Sequence, residues 1–310
     1  MNAVGIDVSK GKSMVCVMRP FGEIVTSPYE VTHTVEELSK LADSLKNLTG
    51  ETKAIMECTS SYHLPIANAL QEAGLIVCTI HAQLIHDFGN NTIRKVKTDK
   101  ADSIKIASYG LTNWLDLQEY VPEDDIRHML KAFSRQYNKY NKIKVALKNN
   151  FISLLDQTFP GVNELFSSPP RDDGHQKWID FAKTFWHCEC VCGVSPRTFS
   201  ERYRKWCKRS GYYFNQSKAN AIYAHAAGNF NIIPKSETTK LLITQAVIQT
   251  NAVAESLAII ACEMKRLAMQ LPEYAVVIAF HGVGDVLCPQ IIAEVGDIYR
   301  FPRKQSLVCF

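Results

Sequence analysis

The sequence predicts an α/β N-terminal domain, followed by a long helical coiled-coil region and the start of a mainly α second domain. Two short apolar runs near the N-terminus each end in a carboxylate and are typical of strands. Two later stripes of apolar residues recur at helical spacing over many turns. We therefore expect an α/β domain over 1–120, a coiled-coil helix over 121–166, a helical insertion over 167–235, a second coiled-coil helix over 236–272, and an incomplete C-terminal domain over 273–310.

The predicted elements of the α/β domain follow from turn and capping residues. Pro20-Phe21-Gly22 predicts a hairpin turn between two strands, and Thr34 followed by Glu37 predicts a capped helix start. The predicted strands cover 1–8, 13–19, 23–31, 53–58 and 75–80, and the predicted helices cover 34–48, 62–73 and a segment from about Thr98.

Four carboxylates occupy positions from which they can converge. Asp7 and Glu57 lie near the ends of their strands, whereas Asp99 and Asp102 are three residues apart and share a helical face. A lone acid at a strand end is ordinarily a solvated turn residue or the partner of a surface lysine. The joint order of all four favours a site for Mg²⁺, with Mn²⁺ as a substitute, because carboxylate oxygens and water are the ligands of Mg²⁺. Such a site fits metal-dependent nucleic-acid chemistry.

Three motifs carry a family resemblance. They are Gly5-Ile6-Asp7-Val8-Ser9-Lys10, Met56-Glu57 followed by Thr59-Ser60-Ser61-Tyr62-His63, and Lys97-Thr98-Asp99-Lys100-Ala101-Asp102. Together they resemble the DEDD transposases of bacterial insertion sequences, relatives of the Piv DNA invertase. Downstream, the segments 281–284 and 292–301 resemble the opening of that family's second domain.

The resemblance implies a fold, a site and partners. It implies a ribonuclease H-like fold of the RuvC type, with Asp7, Glu57, Asp99 and Asp102 as catalytic residues and magnesium ligands. It also implies recombination of DNA, at the element ends and the target, guided by a structured bridge RNA. The competing descriptions are a RuvC-like metal-dependent nuclease and a catalytically incomplete remnant that binds RNA or DNA.

The resemblance also implies a covalent serine step in the second domain. Family members use a serine within a Ser-Gly-Lys-like segment to attack phosphorus. Ser306 lies too close to the preceding conserved block and lacks the following Gly-Lys, so we assign no catalytic serine in this chain. We expect the chain to be truncated before that segment.

Composition favours a soluble protein of the reducing cytoplasm. Lys and Arg total 35 against 31 Asp and Glu, and the net charge of +4 does not by itself identify a nucleic-acid binder. The cysteines lie mostly inside apolar segments, and the sequence shows neither a signal-peptide pattern nor an uninterrupted apolar run of membrane-spanning length. We therefore expect no membrane association.

Local features indicate where nucleic acid binds. Arg94, Lys95, Lys97 and Lys100 adjoin the proposed acids, where cations can hold phosphates. Arg202, Arg204 and Lys205 alternate with aromatic residues, a pattern typical of phosphate contact with base stacking. Gly282 and Gly284 resemble a helix-hairpin-helix turn, whose backbone amides contact phosphates. For each charged cluster the alternative is an ordinary solvated helix face.

The two apolar stripes predict long scaffold helices. The first runs from Ile126 through Leu130 and Phe151 to a stop at Phe159-Pro160-Gly161, and the second runs from Val253 to Leu271 before Pro272. They can pair within one chain or across a dimer, so we expect a homo-oligomer, either a dimer or a tetramer.

Two further readings compete with these predictions. His187, Cys188, Cys190, Cys192 and Cys207 invite a zinc site, but alternate cysteines lack the two-residue spacing of ordinary zinc knuckles, which favours buried thiols. An actin-like or sugar-kinase ATPase also begins with a strand carrying Gly-Ile-Asp. That class needs a second phosphate loop with Asp-x-Gly, and the sequence offers no convincing counterpart.

Overall fold

The chain forms two units, Met1–Pro122 and Glu123–Phe310, called unit 1 and unit 2 below. The computed structural model describes residues 1–58, 61–88, 98–122 and 124–298, together with 301, 303, 305 and 307.

Unit 1 is built on a mixed five-stranded sheet within the described residues. The strands are β1 (Asn2–Ser9), β2 (Lys12–Arg19), β3 (Glu23–Thr32), β4 (Thr52–Glu57) and β5 (Ile76–Ile80), in the spatial order β3-β2-β1-β4-β5. β1, β2 and β3 are antiparallel neighbours, whereas β4 lies parallel to both β1 and β5. This order and these directions are those of a ribonuclease H-like sheet, so the predicted fold class of the N-terminal domain is confirmed.

The predicted hairpin between β2 and β3 is present. A short 3₁₀ turn, Pro20–Gly22, connects the strands. Gly22 has a φ of 82°, a left-handed conformation that glycine adopts without steric cost, and Phe21 has a φ of 66° with its ring in solvent. The proline and the glycine thus supply the turn on which the prediction rested.

Helices cover both faces of the sheet. They are α1 (Val35–Lys46), α2 (Leu64–Glu72), α3 (Ala82–Phe88) and α4 (Asp99–Thr112). Val4 and Ile6 of β1 belong to a core cluster with Leu38 of α1 and Ile66 of α2. A second core cluster, on the opposite face, contains Ala3, Cys16, Ile55, Ile106 and Trp114. α4 therefore packs on the face opposite α1 and α2.

Unit 2 is helical throughout its described elements. They are α5 (Asp125–Thr158), α6 (Lys177–Thr184), α7 (Glu189–Cys192), α8 (Pro196–Arg209), α9 (Gln216–Gly228), α10 (Glu237–Ala268), α11 (Tyr274–Val277) and α12 (Leu287–Val295), with a 3₁₀ turn at Val162–Leu165.

The two long helices, α5 and α10, pack against each other within the chain. Leu130 near the start of α5 clusters with Met264 near the end of α10. Phe151 near the end of α5 clusters with Ile243 near the start of α10. The pair is therefore antiparallel, which answers the question that the sequence left open. The coiled-coil character of the pairing stays a prediction.

The largest core of unit 2 is aromatic. Phe181 lies 4.7 Å from Phe185 and 5.6 Å from Trp206 between ring centroids, and Tyr203 stacks on Trp206 at 5.6 Å. Tyr203 and Trp206 are 0% and 3% exposed. These two rings are therefore part of the packing core and are not available to stack on bases, which corrects the aromatic half of the interpretation of the 202–205 cluster.

Among the described helices, α10 alone is long and apolar enough to cross a membrane by length and composition. Its buried residues include Ile243, Val247, Leu257 and Met264, which pack inside unit 2. A helix that packs in a protein core passes the same test, and α10 has the contacts of such a helix.

The histidine and cysteines considered for zinc are engaged in packing and backbone contacts. His187 Nε2 lies 3.1 Å from the Ile233 carbonyl oxygen, and its Nδ1 accepts a hydrogen bond from the Glu189 amide at 3.1 Å. Cys188 and Cys207 are buried. Burial raises the pKa of Cys188 to about 12, so this thiol is protonated at neutral pH.

Candidate active site

β1 and β4 carry Asp7 and Glu57 to the same end of the sheet. The two strands are parallel neighbours, with Gly5 opposite Ile55 and Ile6 opposite Met56. Ala3 and Ile55 face α4, and side chains alternate along a strand, so Asp7 and Glu57 point to the α4 face as well. Both side chains are half-buried. The strand register therefore places two carboxylates side by side at the carboxyl ends of adjacent strands.

Gly5 allows α4 to approach the sheet closely at this position. A Cβ atom on Gly5 would lie 2.1 Å from the Ser103 carbonyl oxygen and 2.4 Å from the Ala107 nitrogen. No side chain larger than hydrogen fits there, because real Cβ atoms do not come within 3.0 Å of backbone atoms. The backbone of α4 therefore packs directly on β1 at Gly5, two residues before Asp7 on the same face of the strand.

The direction of α4 brings its N-terminus to the two strand acids. Ser103, in its second turn, lies on Gly5, whereas Lys53 at the start of β4 donates a hydrogen bond to the Trp114 carbonyl just beyond the helix, at 3.0 Å. The Lys53 ammonium also lies 4.6 Å from the Trp114 ring centroid. α4 therefore runs antiparallel to β1 and β4, and its first turn lies at their carboxyl ends.

That first turn carries Asp99 and Asp102. Thr98 caps it by accepting a hydrogen bond from the Ala101 amide at 3.2 Å. Asp99 is exposed and Asp102 is half-buried. Acids in the first turn are also favoured by the helix dipole, so this placement alone does not require a metal.

A lysine of the β1–β2 hairpin lies at the same end. Lys12 pairs with Glu30 at 2.7 Å. Its hydrogen bond with Glu30 is the main cause of its raised pKa, and the negative charge of Asp99 contributes to the same shift. The strand register pairs Lys12 with Ser9, just beyond Asp7, so Lys12 lies at the same end of the sheet as Asp7.

The four acids gather at one end of the sheet without forming a ready-made metal shell. Among the residues that the structure describes, no group of three or more His, Cys, Asp or Glu side chains is close enough to hold one ion. The donor chemistry nevertheless fits Mg²⁺, which uses one or two carboxylates and retains several waters.

The other predicted binding residues are distributed over the chain. Lys100 is exposed in the first turn of α4, whereas Arg94, Lys95 and Lys97 lie outside the described residues, as does Ser306. Arg202, Arg204 and Lys205 are exposed on α8 in unit 2, and Gly282 and Gly284 are exposed between α11 and α12, where Gly282 has a φ of 84°.

Two contributors escaped the sequence reasoning. Gly5 belongs to a motif that we identified, but its steric role appears only when α4 is packed on it. Lys12 lies between two predicted strands and carried no distinctive signal. In hindsight, a glycine two residues before a strand-end acid is a usable sign of close helix packing.

Comparison with known proteins places the chain in a family. The model of the IS110-type DEDD transposases matches residues 4–160, which include all four acids. The chain belongs to this transposase family. The family is one of DNA transposases, and this assignment decides between the enzyme classes that the sequence raised, against the actin-like ATPases.

Two further comparisons were made, one with solved structures and one with curated proteins. The solved structure of T. thermophilus RuvC in complex with a Holliday junction substrate is similar over 39% of this transposase chain and 99% of the RuvC chain, at 11% identity and a TM-score of 0.31. No curated protein matches the chain.

Proposed function

We propose that this chain is a transposase of an insertion sequence that cleaves and exchanges DNA strands with the help of bound Mg²⁺. The observation that carries the proposal is the convergence of Asp7 and Glu57, on adjacent parallel strands, with the first turn of α4, which bears Asp99 and Asp102. The family match over 4–160 supports the same four residues as the reactive set.

The four carboxylates would hold Mg²⁺, or Mn²⁺ in its place. Bound magnesium supplies neutralisation of the scissile phosphate and activation of a hydroxyl group. Asp7 and Glu57 are fixed by the sheet and so set the position of the site, while Asp99 and Asp102 approach from the helix. Lys12 and Lys100 lie at the same end and would attract the DNA backbone.

We also propose the finer features that the family resemblance implies. The DNA partners would be the element ends and the target, a structured bridge RNA would guide their pairing, and a serine would form a covalent link to DNA. We assign no residue of this chain to the serine step.

The proposal extends to assembly and location. Exposed apolar side chains on the long helices, including Ile143 on α5 and Ile248 on α10, support a homo-oligomer, a dimer or a tetramer, formed by further copies of this chain. A solution mass of one chain at micromolar concentration would contradict this part. We place the protein in the cytoplasm, without membrane association.

The test of the catalytic claim is cleavage of element-end DNA with Mg²⁺ and the element's noncoding RNA. We expect Asp7→Asn and Asp102→Asn each to lower the cleavage rate by about a thousandfold, since a lost metal ligand removes several kcal/mol of transition-state stabilisation. The matched control is Asp43→Asn, which removes an exposed carboxylate from α1 and should leave the rate unchanged.

Two results separate the proposal from its competitors. Full activity of either asparagine variant, with an unchanged circular dichroism spectrum, would refute the role of the acids. Metal-dependent cleavage without strand exchange would favour a plain RuvC-like nuclease.

A further inference from the structure

A cavity of about 500 Å³ opens in unit 2 among α6, α7 and α8. Four cations line it: Arg202, Lys205 and Arg209 from α8, and Lys235, which precedes α10 by two residues. Glu189 is the single carboxylate among the described residues of the lining. The cavity is therefore strongly positive although the whole chain carries a net charge of only +4.

The spacing along α8 sorts its cations into two groups. Arg202, Lys205 and Arg209 are separated by three and four residues and so share one helical face, which borders the cavity. Arg197, Arg204 and Lys208 share a different face by the same arithmetic and do not line the cavity. The Arg204 guanidinium lies over the Phe214 ring, 4.6 Å from its centroid. The cluster predicted from sequence is thus divided between two surfaces.

The cavity cations have no carboxylate partner among the described residues. Within the part of the chain that the structure describes, no salt bridge joins any of the four to a carboxylate, whereas Arg197 on the other face pairs with Glu201. Four unpaired cations around one concavity repel each other unless an anion joins them. The arrangement therefore favours an anionic ligand.

The floor of the cavity defines what part of a ligand it can contact. Phe185 and Trp206 line it but are only 4% and 3% exposed, because their rings are packed in the aromatic core. A base cannot stack on a ring that is already covered on its faces. The accessible chemistry is that of lysine and arginine side chains, which contact phosphates with charge-assisted hydrogen bonds.

We propose that this cavity binds phosphate groups of a nucleic-acid backbone. The choice of nucleic acid as the ligand rests on the proposed function, since the phosphodiester backbone of RNA or DNA is the polyanion that a transposase binds. The site holds the strand by its charge and reads no sequence, because the cations face phosphates and the aromatic rings are unavailable.

The test compares two double variants that remove equal charge from one helix. Arg202→Gln/Lys205→Gln removes two of the four positive charges that line the cavity. Arg197→Gln/Lys208→Gln removes two positive charges from the other face of α8. Each protein is titrated with a fluorescein-labelled 30-nucleotide RNA and with a 30-base-pair DNA duplex, over a series of salt concentrations. All four side chains are exposed, and circular dichroism checks that the fold is kept.

We expect the cavity variant to bind at least about tenfold more weakly to the strand that occupies the site. Its plot of log affinity against log salt should be shallower by about 1.4 for RNA or about 1.8 for duplex DNA, since each lost phosphate contact removes roughly 0.7 or 0.9. The control variant should keep the wild-type slope. The probe that shows the change identifies RNA or DNA as the ligand.

A second variant tests the charge argument with the opposite sign. Glu189→Gln removes the carboxylate of the cavity and should tighten binding by about twofold to fivefold, because one repulsive charge near the phosphate is lost. Equal weakening by both double variants, or weaker binding by Glu189→Gln, would overturn the proposal. Either result leaves the metal-dependent cleavage claim standing, since cleavage is read from the acid variants alone.

Discussion

At the scale of single residues, Gly5 shows how one missing side chain sets the geometry of the site. Its absent Cβ leaves room for the Ser103 carbonyl and the Ala107 amide, so α4 lies on the backbone of β1. Asp7 follows two residues later on the same face, and Asp102 precedes Ser103. The distance between Asp7 and Asp102 therefore depends on the absence of a side chain at Gly5.

We predict that Gly5→Ala destabilises unit 1 by about 3 kcal/mol, because the methyl group would meet backbone atoms that cannot turn aside. The rate of DNA cleavage should also fall, since α4 carries two of the acids.

The matched control is Gly110→Ala, also between α4 and the sheet. There the close atom is the tip of the Ile55 side chain, at 2.6 Å, and the gain in helix propensity of about 1 kcal/mol offsets the contact. Urea denaturation of both variants measures the difference, and equal losses would contradict the account.

At the scale of elements, Arg127 links the start of α5 to the C-terminal helices. Its guanidinium donates to Glu273 Oε1 at 2.6 Å and to the Gly296 carbonyl at 3.0 Å, and pairs with Asp124 at 2.8 Å. Arg127 and Glu273 side chains are only 11% and 19% exposed. A charge pair so screened from water is costly to break, because the remaining carboxylate stays desolvated.

We predict that Arg127→Met lowers the free energy of unfolding of unit 2 by about 2–3 kcal/mol. The comparison is Lys240→Met, whose pair with Glu237 is exposed and should contribute less than about 1 kcal/mol. Tryptophan fluorescence during urea denaturation follows unit 2, because Trp178, Trp186 and Trp206 lie in its aromatic core. If Lys240→Met lowered the free energy of unfolding as much as Arg127→Met, the Arg127–Glu273 pair would contribute no more to stability than an exposed pair.

The elements also show where sequence reasoning succeeds and where it stops. Strong local signals, such as the Pro20–Gly22 turn and the Thr34 cap, gave elements that the structure contains. The short helix α3 was missed because it lacks both a cap signal and a long apolar stripe.

At the scale of the whole molecule, two units carry different chemistry. Unit 1 gathers carboxylates at one end of a sheet, and unit 2 gathers cations around a cavity. The placement of the acids was predictable because each sits in a short motif on a predicted strand or helix, whereas their catalytic role stays a prediction. The cavity was not predictable from the sequence, because Lys235 and Glu189 are distant from α8 along the chain and come close to its cations only in the folded protein. The sequence also does not show that Tyr203 and Trp206 are buried.

The most direct measurement for the central claim is binding of Mn²⁺ by calorimetric titration, compared among the wild type, Asp7→Asn, Asp102→Asn and the Asp43→Asn control. If the four acids form the metal site, Asp7→Asn and Asp102→Asn each weaken Mn²⁺ binding by at least about tenfold, while Asp43→Asn binds as the wild type does. Unchanged Mn²⁺ affinity in Asp7→Asn and Asp102→Asn, with the fold intact, would contradict the account.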